Sequence, residues 1–263
     1  MVLTNFAVLA DATPVLLIRG LTREQRHWGE FKTLLSAALP NPVLSFDFAG
    51  TGQLYQQCSP CSISGLRQSV RQQWQQTPQY NGRVHLLAIS LGGMLAADWA
   101  AQYPYEVASV TLINSSARPL SPFFRRLYWR NYPAILRSVV VGAAQREQLI
   151  LQLTSANAAA HSRVIPDWQL WQQQRPVSKL NALRQLWAAS RFVVTPAPQC
   201  PTLLLSSLGD SLVSPQCSAD LARYWQVAHI QHPWAGHDLA LDDAPWLVAQ
   251  YRQQLAVIRQ AGR

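Results

Sequence analysis

Three side chains far apart in the chain, Ser90, Asp210 and His237, are of the types that nucleophilic acyl transfer requires. Serine attacks poorly at neutral pH until a base removes its proton. An imidazole serves as that base when a carboxylate fixes its tautomer. Ser90 lies in Ala88-Ile-Ser-Leu-Gly92-Gly93, directly after an apolar run and directly before a helical stretch. Such a strand-to-helix turn exposes the hydroxyl and strains the serine backbone, so it needs small residues two positions to either side. Ala88 and Gly92 supply them. Asp210 stands in Leu208-Gly-Asp-Ser211, beyond the run Thr202 to Ser206, and His237 stands in Ala235-Gly-His-Asp238, before the last helical stretch.

Other residues compete for these roles. His85 falls inside a predicted central strand, His27 and His161 lie on helical or inserted segments, and His232 precedes Pro233. Asp238, Asp242 and Asp243 are close to His237 in sequence, which suits them to its loop and to the first turn of the final helix, where negative charge meets the dipole favourably. Acyl transfer also needs preorganised donors for the oxyanion. The Leu91 amide, directly after the serine, is one candidate. The second is the Leu21 amide in Arg19-Gly-Leu-Thr22, which follows the first apolar run.

The elements that must hold these groups are legible from periodicity. Val15 to Ile18, Val43 to Phe46, Val84 to Ala88, Val107 to Ile113, Thr202 to Ser206 and Val227 to Ile230 read as strands, the central ones nearly continuous in apolar character, as in parallel sheets covered on both faces. Glu24 to Leu39, Ile63 to Gln76, Leu91 to Tyr103, Ser214 to Trp225 and Ala244 to Gln260 read as crossover helices. The reading is an α/β fold, a mostly parallel twisted sheet with helices on both faces and functional loops beyond the strands' carboxyl ends. The alternation lapses from about Pro119 to Pro201, and residues 119–200 are expected to form a helical lid inserted in a single domain spanning residues 1–263.

Hydrophobic residues are 49% and charged residues 13% of the 263, which excludes disorder. No apolar run approaches the ~20 residues of a membrane span. No leader is apparent at the amino terminus, so a cytoplasmic location is expected. Four cysteines make no disulfide scaffold. Cys58-Ser-Pro-Cys61 has a redox-like or half-zinc spacing, but no second pair answers it, and two thiols in a loop is the simpler reading. The net charge of +9 favours acidic partners, although no nucleic-acid module accompanies it.

Taken together, the serine turn, the acid and the histidine resemble the α/β-hydrolase superfamily over essentially the whole chain outside the insertion. Asp47-Phe-Ala-Gly-Thr-Gly52 is similar to the D-x-P-G-x-G loop of its smaller esterases, with Ala49 in place of proline. The superfamily's H-G pair before the oxyanion residue is Arg19-Gly20 here, and the first position of its G-x-S-x-G turn is Ala88. The resemblance implies a helical lid over the nucleophile that supplies much of the substrate pocket. Phe123, Phe124, Tyr128, Trp129, Tyr132, Trp168, Trp171 and Trp187 would form either an apolar acyl channel or the lid's own core.

The activity so implied is hydrolysis of a carboxylic ester, or less readily a thioester, through an acyl-Ser90 intermediate, with no metal or organic cofactor. Carbon-carbon bond hydrolysis, acyl transfer to another acceptor, and ligand binding without catalysis use the same fold and stay open. Haloalkane dehalogenation needs a carboxylate where Ser90 stands. Arg118, Arg125, Arg126, Arg130 and Arg137 either solvate helix faces or receive an acidic carrier protein bearing the acyl group. Oligomeric state is not encoded in any motif.

Overall fold

Apolar runs too short for helices find partners for their backbone N–H and C=O groups in one sheet. In a computed structural model describing residues 13–261, six strands pair in the order β2-β1-β3-β4-β5-β6, every neighbouring pair parallel. They are β1 (Val15–Ile18), β2 (Val43–Ser45), β3 (Val84–Ile89), β4 (Val107–Ile113), β5 (Thr202–Ser207) and β6 (Ala228–His232). The expectation about a leader falls on residues 1–12, outside the described residues.

Every residue of β1 and β3 is buried because alternate side chains enter two different cores. Leu16, Leu86 and Leu112 face one with Trp74 and Trp99. Leu17, Leu87 and Ile113 face the other with Phe31 and Tyr251. The helices are α1 (Gly29–Ala38), α2 (Ile63–Gln75), α3 (Leu91–Gln102), α4 (Phe123–Arg126), α5 (Tyr132–Val140), α6 (Ala143–Thr154), α7 (Ile165–Gln174), α8 (Lys179–Arg191), α9 (Pro215–Trp225), α10 (Leu239–Asp242) and α11 (Ala244–Ala261). Helices α2, α3 and α9 contribute to the first core, and α1, α10 and α11 to the second. The chain is an α/β fold of the expected class.

Two departures from the expected elements have local causes. The first helix is divided into a 3₁₀ turn at Gln25–Trp28 and α1, because Gly29 at the junction takes φ 50°. The short α10 was not expected, and its four residues are too few to show helical periodicity. Between β4 and β5 the chain forms α4 to α8. This helical segment is closed at its base, where Arg118 N–H donates to Phe192 O at 3.1 Å and Val194 N–H donates to Arg118 O at 2.6 Å.

Candidate active site

Ser90, Asn114, Asp210 and His237 all follow the carboxyl ends of parallel strands, the edge where crossover connections collect loops. Ser90 has φ 57° and ψ −119°, a left-handed backbone that an ordinary serine avoids. The surroundings hold it there. Its N–H donates to Ile113 O at 2.8 Å, and its carbonyl accepts from the Ser115 hydroxyl at 3.0 Å and from Met94 N–H at 3.2 Å. A Cβ on Gly92 would lie 2.4 Å from Arg19 O and 2.5 Å from Ile18 O, so only glycine lets α3 begin against β1. Leu91 opens α3, and its N–H is among the first-turn donors that an α-helix leaves without an internal acceptor.

The loop after β1 lies against the serine. A Cβ on Gly20 would stand 3.2 Å from Ser90 Cβ and 3.7 Å from Ser90 Oγ. Leu21, the second expected donor, follows in the turn closed by Arg23 N–H to Gly20 O at 3.3 Å.

Across the edge, His237 Nδ1 meets Asp210 Oδ2 at 2.7 Å. A carboxylate only accepts, so Nδ1 carries a proton, and in the neutral ring Nε2 keeps its lone pair. The other oxygen of Asp210 accepts from the N–H groups of Leu212 and Val213 at 2.8 and 2.9 Å, which fixes the carboxylate plane. Both residues are buried, His237 at 6% and Asp210 at 5% exposure, so water competes little for their bond. The Ser90 hydroxyl has no hydrogen-bond partner among the described residues. Two consecutive residues after β4 nonetheless bracket the serine and the imidazole. Ser115 binds the Ser90 carbonyl, while Asn114 Nδ2 donates to His237 O at 2.9 Å and Asn114 Oδ1 accepts from Ser207 N–H at 2.9 Å.

The competing side chains are occupied elsewhere. His85 Nδ1 meets Ser109 Oγ at 2.7 Å inside the sheet. His232 Nε2 meets Asp243 Oδ2 at 3.1 Å, between the rings of Trp234 and Trp246. His161 faces Asp242 at 3.5 Å. His27 is wedged against Trp168 and Trp171, and burial first, then Arg23 and Arg19, hold its pKa well below the usual imidazole value. Asp242 accepts from the N–H groups of Gly236 and Ala156 and so shapes the histidine loop. Asp243 accepts from Trp246 N–H at 3.0 Å and caps α11.

Asp238 does more than line its loop. It forms a two-bond ion pair with Arg19, at 2.6 and 3.0 Å, with Arg19 lying over the Trp28 ring. The loop before the oxyanion candidate is thereby fastened to the residue next to His237. Burial pushes the Asp238 carboxyl up, but Arg19 outweighs it and holds the group below the usual carboxylate range. Sequence reasoning missed this partnership, and also Asn114. The only signals were a charge where a small loop follows a buried strand, and the polar run Asn114-Ser-Ser116 at the end of another. The Asp47 loop is likewise structural, its carboxylate accepting from the N–H groups of Gln25 and Gln53 at 2.7 and 2.9 Å.

A cavity of about 730 Å³ opens between α3, the segment after β4 and the inserted helices. Met94, one turn beyond Ser90, forms part of its wall with Phe123, Tyr132, Leu136 and Leu186; neither Ser90 nor His237 lines it. Of the aromatic residues expected at the pocket, Phe123 and Tyr132 are there. Phe124, Tyr128, Trp129, Trp168, Trp171 and Trp187 are not. Trp168 is 3% exposed beneath the Arg23 guanidinium, and Trp171 takes Arg26 in the same way, so these two build the junction between α7 and the β1 loop. Trp129 and Trp187 face outward, 69% and 55% exposed, and Tyr128 is covered by Arg130. Helical spacing alone does not report which side of a small helix meets the body of the protein.

The α/β-hydrolase fold family matches residues 14–244. The chain belongs to this family. It is 28% identical over 247 residues to a carbamate hydrolase, RutD, of Pantoea ananatis, covering 89% of this chain and 85% of that protein. It is 31% identical over 133 residues to a pimeloyl-[acyl-carrier protein] methyl ester esterase of Chromobacterium violaceum, covering 47% of this chain and 50% of that one. Among solved structures, a thermophilic esterase from Thermogutta terrifontis superposes with a TM-score of 0.75 at 20% identity, covering 94% of this chain and 90% of that chain. This α/β-hydrolase is a hydrolase by family and by its relatives' names. Among its described residues no helix is long and apolar enough to cross a membrane, and no three His, Cys, Asp or Glu side chains cluster as metal ligands.

Proposed function

We propose that this α/β-hydrolase cleaves carboxylic esters through an acyl-Ser90 intermediate. The observation that carries the reading is the buried His237–Asp210 bond of 2.7 Å at the same sheet edge as a serine in a left-handed turn. Ser90 Oγ attacks the acyl carbon as His237 Nε2 takes its proton, while Asp210 stabilises the imidazolium. The amides of Leu21 and Leu91 bind the developing oxyanion. Collapse passes the proton from Nε2 to the departing alcohol. Water then attacks the acyl carbon and gives a proton to the same nitrogen; breaking of the acyl–Oγ bond returns that proton to Ser90 Oγ and releases the acid. The contact between Ser90 and His237 closes when substrate is bound, as such contacts commonly do.

The inserted segment, residues 119–200 within one domain, acts as the lid, and the cavity beneath it takes the apolar part of the ester. Its walls are apolar with arginines at the rim, Arg118 exposed and Arg126 engaged by the carbonyls of Ala189 and Ser190. Arg118, Arg125, Arg130 and Arg137 are exposed and would face an acidic carrier, Arg130 from its stack on Tyr128. Similarity to an esterase of carrier-bound acyl chains supports this use, and the work is done inside the cell. Similarity to RutD favours carbamates as the second reading, since a carbamate presents the same carbonyl to the same serine.

A fluorophosphonate probe with a panel of esters, thioesters and carbamates tests this. Stoichiometric labelling of Ser90, abolished in Ser90→Ala and strongly slowed in His237→Ala, with esters turned over fastest, is the expected result. A folded protein that the probe leaves unlabelled overturns the proposal in favour of a binding protein. Faster carbamate turnover selects the second reading, and unchanged turnover of a carrier-bound ester after charge reversal at Arg125, Arg130 and Arg137 removes the carrier.

A further inference from the structure

Gln185 on α8 is fully buried, although it belongs to the inserted helices. Its Oε1 accepts from Thr22 N–H at 2.9 Å. Its Nε2 donates to Ser59 Oγ at 3.0 Å, and that hydroxyl donates to Ala49 O at 2.7 Å. One carboxamide therefore joins the helical segment to the turn that carries Leu21.

That turn is unusual. It runs from Gly20 to Arg23 and is closed by their backbone hydrogen bond, with Thr22 in third position at φ 59°. A left-handed third residue marks a turn whose central peptide is reversed from the common form, and glycine or asparagine normally occupies the place. A β-branched residue there persists only when its neighbours hold it. Two bonds hold this one: Gln185 takes the Thr22 N–H, and the Thr22 hydroxyl donates to Leu21 O at 2.7 Å. Both ends of the Leu21–Thr22 peptide are fixed. Leu186, Ala189 and Ser190, which follow Gln185 on the same helix, line the cavity.

We propose that Gln185 is a positioning residue for the oxyanion site, holding the left-handed Thr22 turn so that the Leu21 N–H stays aimed at the acyl oxygen. The inference deepens the hydrolase reading and rests on it. It makes α8 the physical link between the cavity and the group that stabilises the transition state. Misaiming a donor is milder than deleting one, and deletion costs about 10²–10³ in kcat. Gln185→Leu should therefore lower kcat by about tenfold or more, with KM changed by less than about threefold.

The test separates positioning from packing through Thr22. Glycine takes the left-handed turn without strain, so Thr22→Gly should restore the kcat of Gln185→Leu to within about threefold of Thr22→Gly alone. Steady-state ester kinetics on the four proteins, with circular dichroism and fluorophosphonate titration to count active sites, reads this. Gln185→Leu with an unchanged kcat, or a loss that Thr22→Gly leaves in place, overturns the inference while a labelled, active parent protein keeps the hydrolase reading. An unlabelled parent protein overturns both. Should Gln185→Leu fail to fold, Gln185→Met, close in volume and also without an acceptor for Thr22 N–H, replaces it; the same roughly tenfold loss of kcat, restored by Thr22→Gly, is expected, and an unchanged kcat in the folded protein refutes the role.

Discussion

Replacing Asp210 by asparagine exchanges one oxygen for an NH₂ group and, on the geometry around it, redirects a proton. One carboxylate oxygen accepts from Leu212 and Val213 N–H at 2.8 and 2.9 Å, and the other faces His237 Nδ1 at 2.7 Å. The single oxygen of an amide stays with the two backbone donors, so its NH₂ group turns to the imidazole. Nδ1 must then accept, and the imidazole proton moves to Nε2, where the base needs a lone pair. Reversing the amide restores the tautomer but leaves two buried N–H groups facing a donor, at about 1–3 kcal/mol each. The sum, about 2–6 kcal/mol, corresponds to a loss of roughly 30-fold to 3 × 10⁴-fold at 1.36 kcal/mol per decade. Loss of the carboxylate's charge beside the imidazolium places the expectation at the upper end, near 10⁴ in kcat, with KM little changed. Stopped-time ester assays with active-site titration measure it. A folded Asp210→Asn protein retaining kcat within about tenfold of the parent would refute the assignment of Asp210 as the acid that orients His237.

The Arg19–Asp238 pair makes a pH prediction. Its carboxyl titrates below the unfolded value of about 3.9 because Arg19 outweighs burial, so its stabilisation is complete well above that pH and fades as pH falls through the lowered folded value. Asp238→Asn leaves Arg19 buried and unpaired, at a cost of about 3–5 kcal/mol near neutrality; urea unfolding from pH 6 down to pH 3 should show that gap narrowing. A gap constant with pH contradicts the pairing. Gly92→Ala drives a methyl against the Arg19 and Ile18 carbonyls, and about 1–3 kcal/mol of destabilisation together with slowed Ser90 labelling is expected from thermal melts and probe kinetics. Leu186→Trp fills part of the cavity, so turnover of a graded series of acyl esters should shift towards shorter chains, and an unmoved chain-length profile detaches the cavity from the acyl group.

Sheet strands and the serine turn were legible because their signals are local. Nearly continuous apolar runs such as Val84 to Ala88 call for cover on both faces, and Ala88, Gly92 and Gly93 announce a crowded turn. Asp210 and His237 were legible by position, each in a glycine-containing loop after a strand. Partnerships across the fold were not. Arg19 meets Asp238 across 219 residues and Gln185 meets Thr22 across 163, and no local pattern distinguishes a charge or carboxamide that will be buried from one that will be hydrated. The inserted helices gave the same difficulty. Their short lengths and mixed faces left Trp168 and Trp187 equivalent in sequence, although one is wedged under Arg23 and the other faces solvent.

The paired backbone at Arg118 and Val193 joins the outgoing and returning strands of chain at a single neck. The registration of β4 with β5, Val110 to Ile113 against Thr202 to Leu205, lies outside the stretch so closed. Replacing that one contiguous stretch of gene preserves the loops at the sheet edge only where the substitute keeps the bonds of Gln185 to Thr22 and of Ala156 to Asp242.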